Sequence, residues 1–414
     1  MKQEISQKAQ NFRRLMSPVR QIMTYANPAH FIALGLKPDE VISFAGGWVN
    51  HTLPSELQAA YTEIVSDDRL MHMAGGYSAT SGREECKEAL VAYEKHVYDV
   101  TDLAPRNITI GANSSQLLFD LMCVLLDPGD TVLMLDPSYC NYPSQIITMV
   151  KAKILRFPVV SKDTWVCDAG TRTKAFVDYI KKEKPKVVLL TSPDNPTSQV
   201  LPHGFVQAAV KAVKSIGGFL IMDFAYKDLV FDTADLPEYF SWGPTDNFMT
   251  VHSNSKWSRS LGRRLGWMEA SEEIIQALES VQSSTILAPD TLHQMALERY
   301  FKKAIEKDTL RPYIKKVAND YKKAAARTVE AIHTHMDREC FIPQGGLFTC
   351  IDVGMDGALF VDTALKEMGV LAVPGWGFGK ALKNAVRLSF GPLVYDLEKI
   401  DEGIKRLSAV IKKS

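Results

Sequence analysis

Six short runs of β-branched and aliphatic residues recur through the middle of the chain, separated by longer helical patterns. They are "NITIGA" (107–112), "TVLMLD" (131–136), "KVVLLTS" (186–192), "GFLIMD" (218–223), "FMTVHS" (248–253) and "LGWMEA" (265–270). Strands that are apolar without alternation need cover on both faces, and strands spaced by helices pair in parallel. The expectation is an α/β fold with a mainly parallel sheet between helices. "SSQLLFDLMCVLL" (114–126) reads as a buried helix, ended by the turn "DPGD". Residues 297–336 form one long charged amphipathic pattern, broken only near Pro312, that suits a helix leading from a large domain into a smaller C-terminal one.

Size and charge narrow what such a fold can do. With 414 residues, 46% of them apolar, the chain can bury a large core divided between two lobes. Its 48 basic and 48 acidic residues cancel, so no whole-chain footprint for nucleic acid or anionic lipid is expected. Cys86, Cys123, Cys140, Cys167, Cys340 and Cys350 are scattered without metal-site or disulfide spacing, which fits a reducing compartment and no metal. A polar N-terminus and the lack of a long apolar run point to a soluble, cytoplasmic protein.

In an open α/β sheet, ligands sit outside the carboxyl ends of the strands. There "NITIGANSSQ" runs off a strand through Gly111, Ala112, Asn113, Ser114 and Ser115 into a helix, where free N–H groups and hydroxyls can hold an anion. An ordinary capped strand–helix junction is the competing reading. "TSPDNPTS" sets Asn195 before a proline, a rigid turn that can aim an amide but is also a common turn. Asp223 closes a strongly apolar strand three residues before Tyr226, and a buried carboxylate there is costly unless it meets a cation. "SNSKWSRSLGRRLG" (253–266) puts Lys256 among small polar residues, followed by glycines and arginines that a merely solvated basic loop does not explain. Together these groups call for a ligand with a phosphate, a protonatable ring nitrogen, a phenolic oxygen and an aldehyde.

The motifs "SPVRQI" (17–22), "ISFAGG" (42–47), "GGYSATSG" (75–82), "GANSSQ" (111–116), "DPSYCNY" (136–142), "PDNPTS" (193–198), "DFAY" (223–226), "SNSK" (253–256), "GRRLG" (262–266) and "VRLSFGP" (386–392) arrive in a fixed order. In that order the chain resembles the fold-type I, aspartate-aminotransferase-like enzymes that use pyridoxal 5′-phosphate (PLP), over nearly its full length. "SPVR" and "ISFAGG" are most similar to the branch with the kynurenine/α-aminoadipate and broad-specificity aromatic aminotransferases. The resemblance implies an α/β fold with a seven-stranded, mainly parallel large domain (51–300) and a smaller α+β domain made from the N-terminal arm, which contributes part of it (1–50), and the C-terminal segment (301–414). It implies an amino group moved from an L-amino acid to a 2-oxo acid in a ping-pong cycle.

It also implies roles for residues. Lys256 forms the imine with the cofactor aldehyde and moves the proton between Cα and C4′. Asp223 pairs with the pyridine nitrogen, Asn195 and Tyr226 bond the phenolic oxygen, and Tyr139 stacks on the ring. The phosphate falls to Ser253, Arg264 and the Gly111–Ala112–Asn113 backbone, Arg263 having the wrong spacing to Gly266. Arg387, with Asn195 and Gly47, receives the substrate, its guanidinium pairing with the α-carboxylate. Tyr77 reaches the phosphate of a neighbouring subunit, which makes the protein a homodimer with shared sites.

Three departures stand out. Ser198 replaces the glycine usual after "NPT", "WSRSLGRR" lacks the usual proline, and "GGWVNHTLP" brings Trp48, Asn50 and His51 into a stretch that lies near substrate in the family. They leave two rivals: another PLP reaction on the same scaffold (elimination, cyclisation, decarboxylation or oxidation), and a PLP-binding regulator, which the short N-terminus and the lack of a basic recognition helix disfavour.

Overall fold

The apolar runs become strands because each is buried on both sides. β1 (Ile108–Gly111), β2 (Thr131–Asp136), β3 (Lys153–Pro158), β4 (Val187–Thr191), β5 (Phe219–Asp223), β6 (Phe248–Ser253) and β7 (Gly266–Glu269) form one seven-stranded sheet in the order β1-β7-β6-β5-β4-β2-β3. In this computed structural model, residues 4–7, 9–10, 25–161 and 165–413 are described; "SPVRQI" lies outside them.

Six strands match the expected runs, and β3 is the seventh. "KILRFP" escapes notice because it is an edge strand, partly exposed and carrying Lys153 and Arg156. All pairings among β2 to β6 are parallel, whereas β7 runs antiparallel to both β6 and β1. The physical reason is the connection: residues 254–265 contain no helix, and a parallel return needs a crossover. Register aligns Thr191, Asp223 and Val251, so polar groups gather along one edge of an apolar sheet.

Helices α1 (Glu84–Tyr98) and α2 (Ser114–Leu125) cover opposite faces of this end of the sheet. Asn113 caps α2, its side chain accepting the Gln116 N–H. The amphipathic stretch after residue 290 is two helices, α3 (Thr291–Glu306) and α4 (Leu310–Met336). The break falls at 307–309 rather than at Pro312, which sits in the first turn of α4 where a missing N–H costs nothing. Beyond α4, Phe348–Asp352, Ala385–Ser389 and Val373–Pro374 make a small antiparallel sheet. The arm before the large domain joins this part of the molecule, Ile42 and Ser43 pairing with Val370 and Leu371. The architecture is thus α/β with a large sheet domain and a smaller α+β domain.

Candidate active site

A cavity of about 160 Å³ opens at the carboxyl ends of β4, β5 and β6. Asn195, Asp223, Tyr226, Ser253, Lys256, Arg264 and Tyr139, all expected from the sequence, line it. Strand register delivers Asp223 and Ser253, and the turns after β4 and β5 deliver Asn195 and Tyr226. Tyr77 does not join them in the single chain, where it is 86% exposed.

Lys256 Nζ donates to the Gly47 carbonyl at 2.7 Å. Burial, then the nearby Arg264 and Arg387 cations, lower its pKa to about 8. A lysine so placed holds about a tenth of its amine neutral at pH 7, far more than a lysine in water, and can act as nucleophile or base. Gly47 has little room for a side chain: a Cβ there would lie 3.3 Å from Phe348 Cζ and 3.7 Å from Lys256 Nζ.

Asp223 is buried and accepts hydrogen bonds from the Tyr142 hydroxyl (2.7 Å) and the Ala225 N–H (2.9 Å). Burial raises its pKa against these two donors, the condition of a carboxylate that gains from a cationic partner. Arg387 is also buried. Its guanidinium lies 4.2 Å from the Phe348 ring centroid and 4.9 Å from that of Phe378. It donates to Asn195 Oδ1 (2.9 Å) and the Ala45 carbonyl (2.6 Å), while Nε has no partner among the described residues. An orphaned N–H on a buried cation is a seat for an anion.

The anion-binding end differs from expectation. The Ala112 N–H is taken by Gln116 Oε1 at 2.9 Å, and the Asn113 side chain is spent on capping α2, so neither residue lines the cavity. Gly111 supports the junction instead, since a Cβ there would come 2.7 Å from Leu117 Cδ2. The next two residues, Ser114 and Ser115, line the cavity, together with Ser253, Ser255 and Arg264. A helix N-terminus, four serines and a guanidinium make a donor set for a phosphate.

Sequence reasoning missed Tyr142, Thr191, Gln145 and Ser255. Tyr142 bonds both Thr191 (2.9 Å) and Asp223, and "DPSYCNY" held that signal in its second tyrosine. Ser198 is explained: at φ +57° its hydroxyl accepts the Phe348 N–H at 3.0 Å. A serine thus occupies a backbone region that favours glycine because it satisfies a buried donor.

A profile of the family described as "Aminotransferase class I and II" matches residues 39–407. The chain belongs to that family. It is a PLP-dependent aminotransferase, and the cavity fits the cofactor: phosphate donors at one end, a buried carboxylate for the ring nitrogen, and an amine of lowered pKa between them. Among relatives of this aminotransferase, the aspartate/prephenate aminotransferase of Thermus thermophilus is 23% identical over 398 residues, covering 95% of this chain and 98% of that protein. The aspartate aminotransferase of Thermotoga maritima is 26% identical, over 91% and 92% of the two chains. In structure, the Thermus thermophilus aspartate aminotransferase with maleate superposes with a TM-score of 0.83 at 21% identity, covering 99% and 100%. The aromatic aminotransferase of Pyrococcus horikoshii gives 0.78 at 23% identity, covering 90% and 96%. No helix among the described residues is long and apolar enough to cross a membrane.

Proposed function

We propose that this aminotransferase runs its chemistry on Lys256, Asp223, Asn195, Tyr226 and Arg387, and that its amino donors carry apolar or aromatic side chains. One observation supports the residue roles above others: the lysine amine at the Gly47 carbonyl, its pKa lowered to about 8, in a cavity shared with the buried Asp223 carboxylate. PLP supplies an aldehyde that takes up the amino group and a ring that accepts electrons from the bond being broken. Asp223 keeps the ring nitrogen protonated, with Tyr142 fixing the carboxylate. Asn195 and Tyr226 hydrogen-bond the phenolic oxygen, and Tyr139 packs against the ring. Ser114, Ser115, Ser253 and Arg264 hold the phosphate. Arg387 grips the α-carboxylate, and the neutral Lys256 amine takes the proton from substrate Cα.

The substrate reading is supported by the apolar part of the cavity walls, to which Leu118, Leu261, Tyr139 and Tyr226 contribute. The two cations among the described lining residues, Lys256 and Arg264, already have roles, and Arg387, which stands outside this lining, is given to the α-carboxylate. We further propose a cytoplasmic homodimer, with an arm over 1–50, a large domain over 51–300 and a small domain over 301–414. Tyr77, exposed in the single chain, would complete the partner's phosphate site.

The test is a product analysis on the PLP-loaded protein with a panel of α-deuterated amino acids. The expected result is amine-form cofactor and 2-oxo acid in equal amounts, most rapidly from apolar or aromatic donors, with borohydride fixing the cofactor on Lys256. Carbon dioxide, free ammonia or a cyclised main product would overturn transamination on these residues. Faster conversion of aspartate than of phenylalanine or leucine would overturn the substrate class alone.

A further inference from the structure

The sequence GGWVNHTLP places a histidine four residues after Gly47, and His51 is fully buried although it lines no part of the cavity. Its Nε2 lies 2.8 Å from the carbonyl oxygen of Trp257, the residue after Lys256. Its Nδ1 lies 2.8 Å from the Tyr321 hydroxyl on α4. A carbonyl can only accept, so Nε2 carries the proton, and Nδ1 accepts from Tyr321. One neutral imidazole therefore ties three parts of the molecule together: the arm, the loop of Lys256, and the long helix.

The neighbouring contacts make this junction specific. Tyr313, two turns before Tyr321 on α4, shares its one hydroxyl proton between the Thr52 carbonyl (2.9 Å) and, at longer range, the Trp257 carbonyl (3.2 Å). The Asn50 N–H meets Tyr321 Oη at 3.3 Å, and Arg259 donates to Asn50 Oδ1 at 3.0 Å. At the other end of the same arm, the Phe44 carbonyl accepts the Ser389 N–H (2.7 Å) and Ala45 accepts from Arg387 (2.6 Å). Between these two anchors lies Gly47, whose carbonyl holds Lys256 Nζ. Without His51 the Asn50 and Thr52 contacts would still tie the arm to α4 and to the lysine loop. The one side chain that joins the Trp257 carbonyl directly to Tyr321 would be gone, however, and both Gly47 and the Trp257 carbonyl would gain freedom relative to the lysine.

We propose that His51 is a positioning residue for Lys256: by joining the Trp257 carbonyl to Tyr321, it holds the arm and the lysine loop in the register that puts Lys256 Nζ against Gly47. This rests on the assignment of Lys256 above. Burial keeps the imidazole neutral, with its pKa lowered to about 4, so the junction stays intact across the working range of an enzyme.

The experiment has one readout on the cofactor-free protein and one on the loaded enzyme. In the first, acetic anhydride labelling of Lys256, followed by peptide mapping across pH, gives the titration midpoint of the amine. His51→Leu is expected to move this midpoint up from the wild-type value as water reaches a loosened Nζ. In the second, His51→Leu is expected to lower kcat by ~10²-fold, as a small misplacement of a reacting group does, with KM little changed because Arg387 is untouched. His51→Gln keeps an N–H for the Trp257 carbonyl and should recover much of both. If His51→Leu fails to fold, Tyr321→Phe, which deletes one hydroxyl, carries the test with the same directions. A folded variant with wild-type midpoint and wild-type kcat would overturn the proposal, as would a lowered melting temperature with neither quantity moved. Failure of the wild type to attach PLP at Lys256 would instead sink the reading on which the proposal rests, while the labelling of the cofactor-free protein would still report on His51.

Discussion

A lysine surrounded by cations and apolar groups titrates differently from one in water, and this sets the first test. The cost of charging Lys256 comes first from burial and then from Arg264 and Arg387. Because its folded pKa is lowered, the folded state binds fewer protons than the unfolded chain between pH 8 and the ordinary lysine value. Stability from this group therefore rises with pH across that window, and below about pH 8 the buried ammonium is a standing cost. Arg264→Gln removes one repelling charge and should shift the Lys256 midpoint upward in the labelling titration of the cofactor-free protein. Tyr142 offers a second test. Its hydroxyl donates to Asp223 at 2.7 Å, and a hydrogen bond to a charged group is worth about 1.5–3 kcal/mol. Tyr142→Phe should therefore weaken PLP binding by at least about tenfold, measured by equilibrium dialysis. Unchanged affinity would mean that the carboxylate does not depend on this donor.

Between elements, a buried electrostatic tie lies on the sheet face away from α2. Glu94 of α1 meets Lys227 at 2.7 Å and His252 of β6 at 3.3 Å, and the other His252 nitrogen faces Glu269 of β7 at 3.4 Å. Glu94, His252 and Glu269 are close enough to suggest a metal donor set, but the imidazole turns its two nitrogens to different carboxylates and Lys227 already occupies Glu94. The Lys227–Glu94 ion pair and the imidazole set between Glu94 and Glu269 account for the cluster. The cluster binds α1 to β6, which ends at Ser253, and to β7, which begins at Gly266, so it supports the sheet on which the cavity stands. Replacing Glu94 by leucine leaves the buried Lys227 ammonium without its carboxylate partner, a change that costs about 3–5 kcal/mol in such settings. Denaturant melts of Glu94→Leu should show a loss of this size; a loss below about 1 kcal/mol would mean that water or rearrangement compensates.

For the whole molecule, the proposed homodimer is the next question. Met71, Met73, Tyr77 and Leu287 are 47%, 44%, 86% and 49% exposed, and the Tyr77 loop is tied to α3 through Thr291 and Gln294. Large apolar side chains held out on ordered elements are suited to an interface. Sedimentation should give twice the chain mass. Mixing Lys256→Ala with Tyr77→Phe subunits should restore activity in hybrid dimers, where one site carries both changes and the other neither. A monomer at micromolar concentration, or mixing without recovery when both single variants are impaired, would reject shared sites.

What local pattern determines was legible in the sequence. Six strands, the Asn113 junction and the strand-end placement of Asp223, Ser253 and Lys256 follow from runs of apolar residues and the polar groups that stop them. Edge strand β3 and the antiparallel β7 were decided by sheet order, because partial exposure and the length of a connection matter only once neighbours are known. That Gln116 takes the Ala112 N–H, leaving Ser114 and Ser115 rather than Ala112 to line the cavity, is visible only in the packing. Tyr142 on Asp223, Ser198 on Phe348 and His51 between Trp257 and Tyr321 join residues 81, 150, 206 and 270 positions apart. Hydrogen bonds at such separations have no periodicity to betray them; they exist because the tertiary fold excludes water and leaves each buried donor one acceptor within reach.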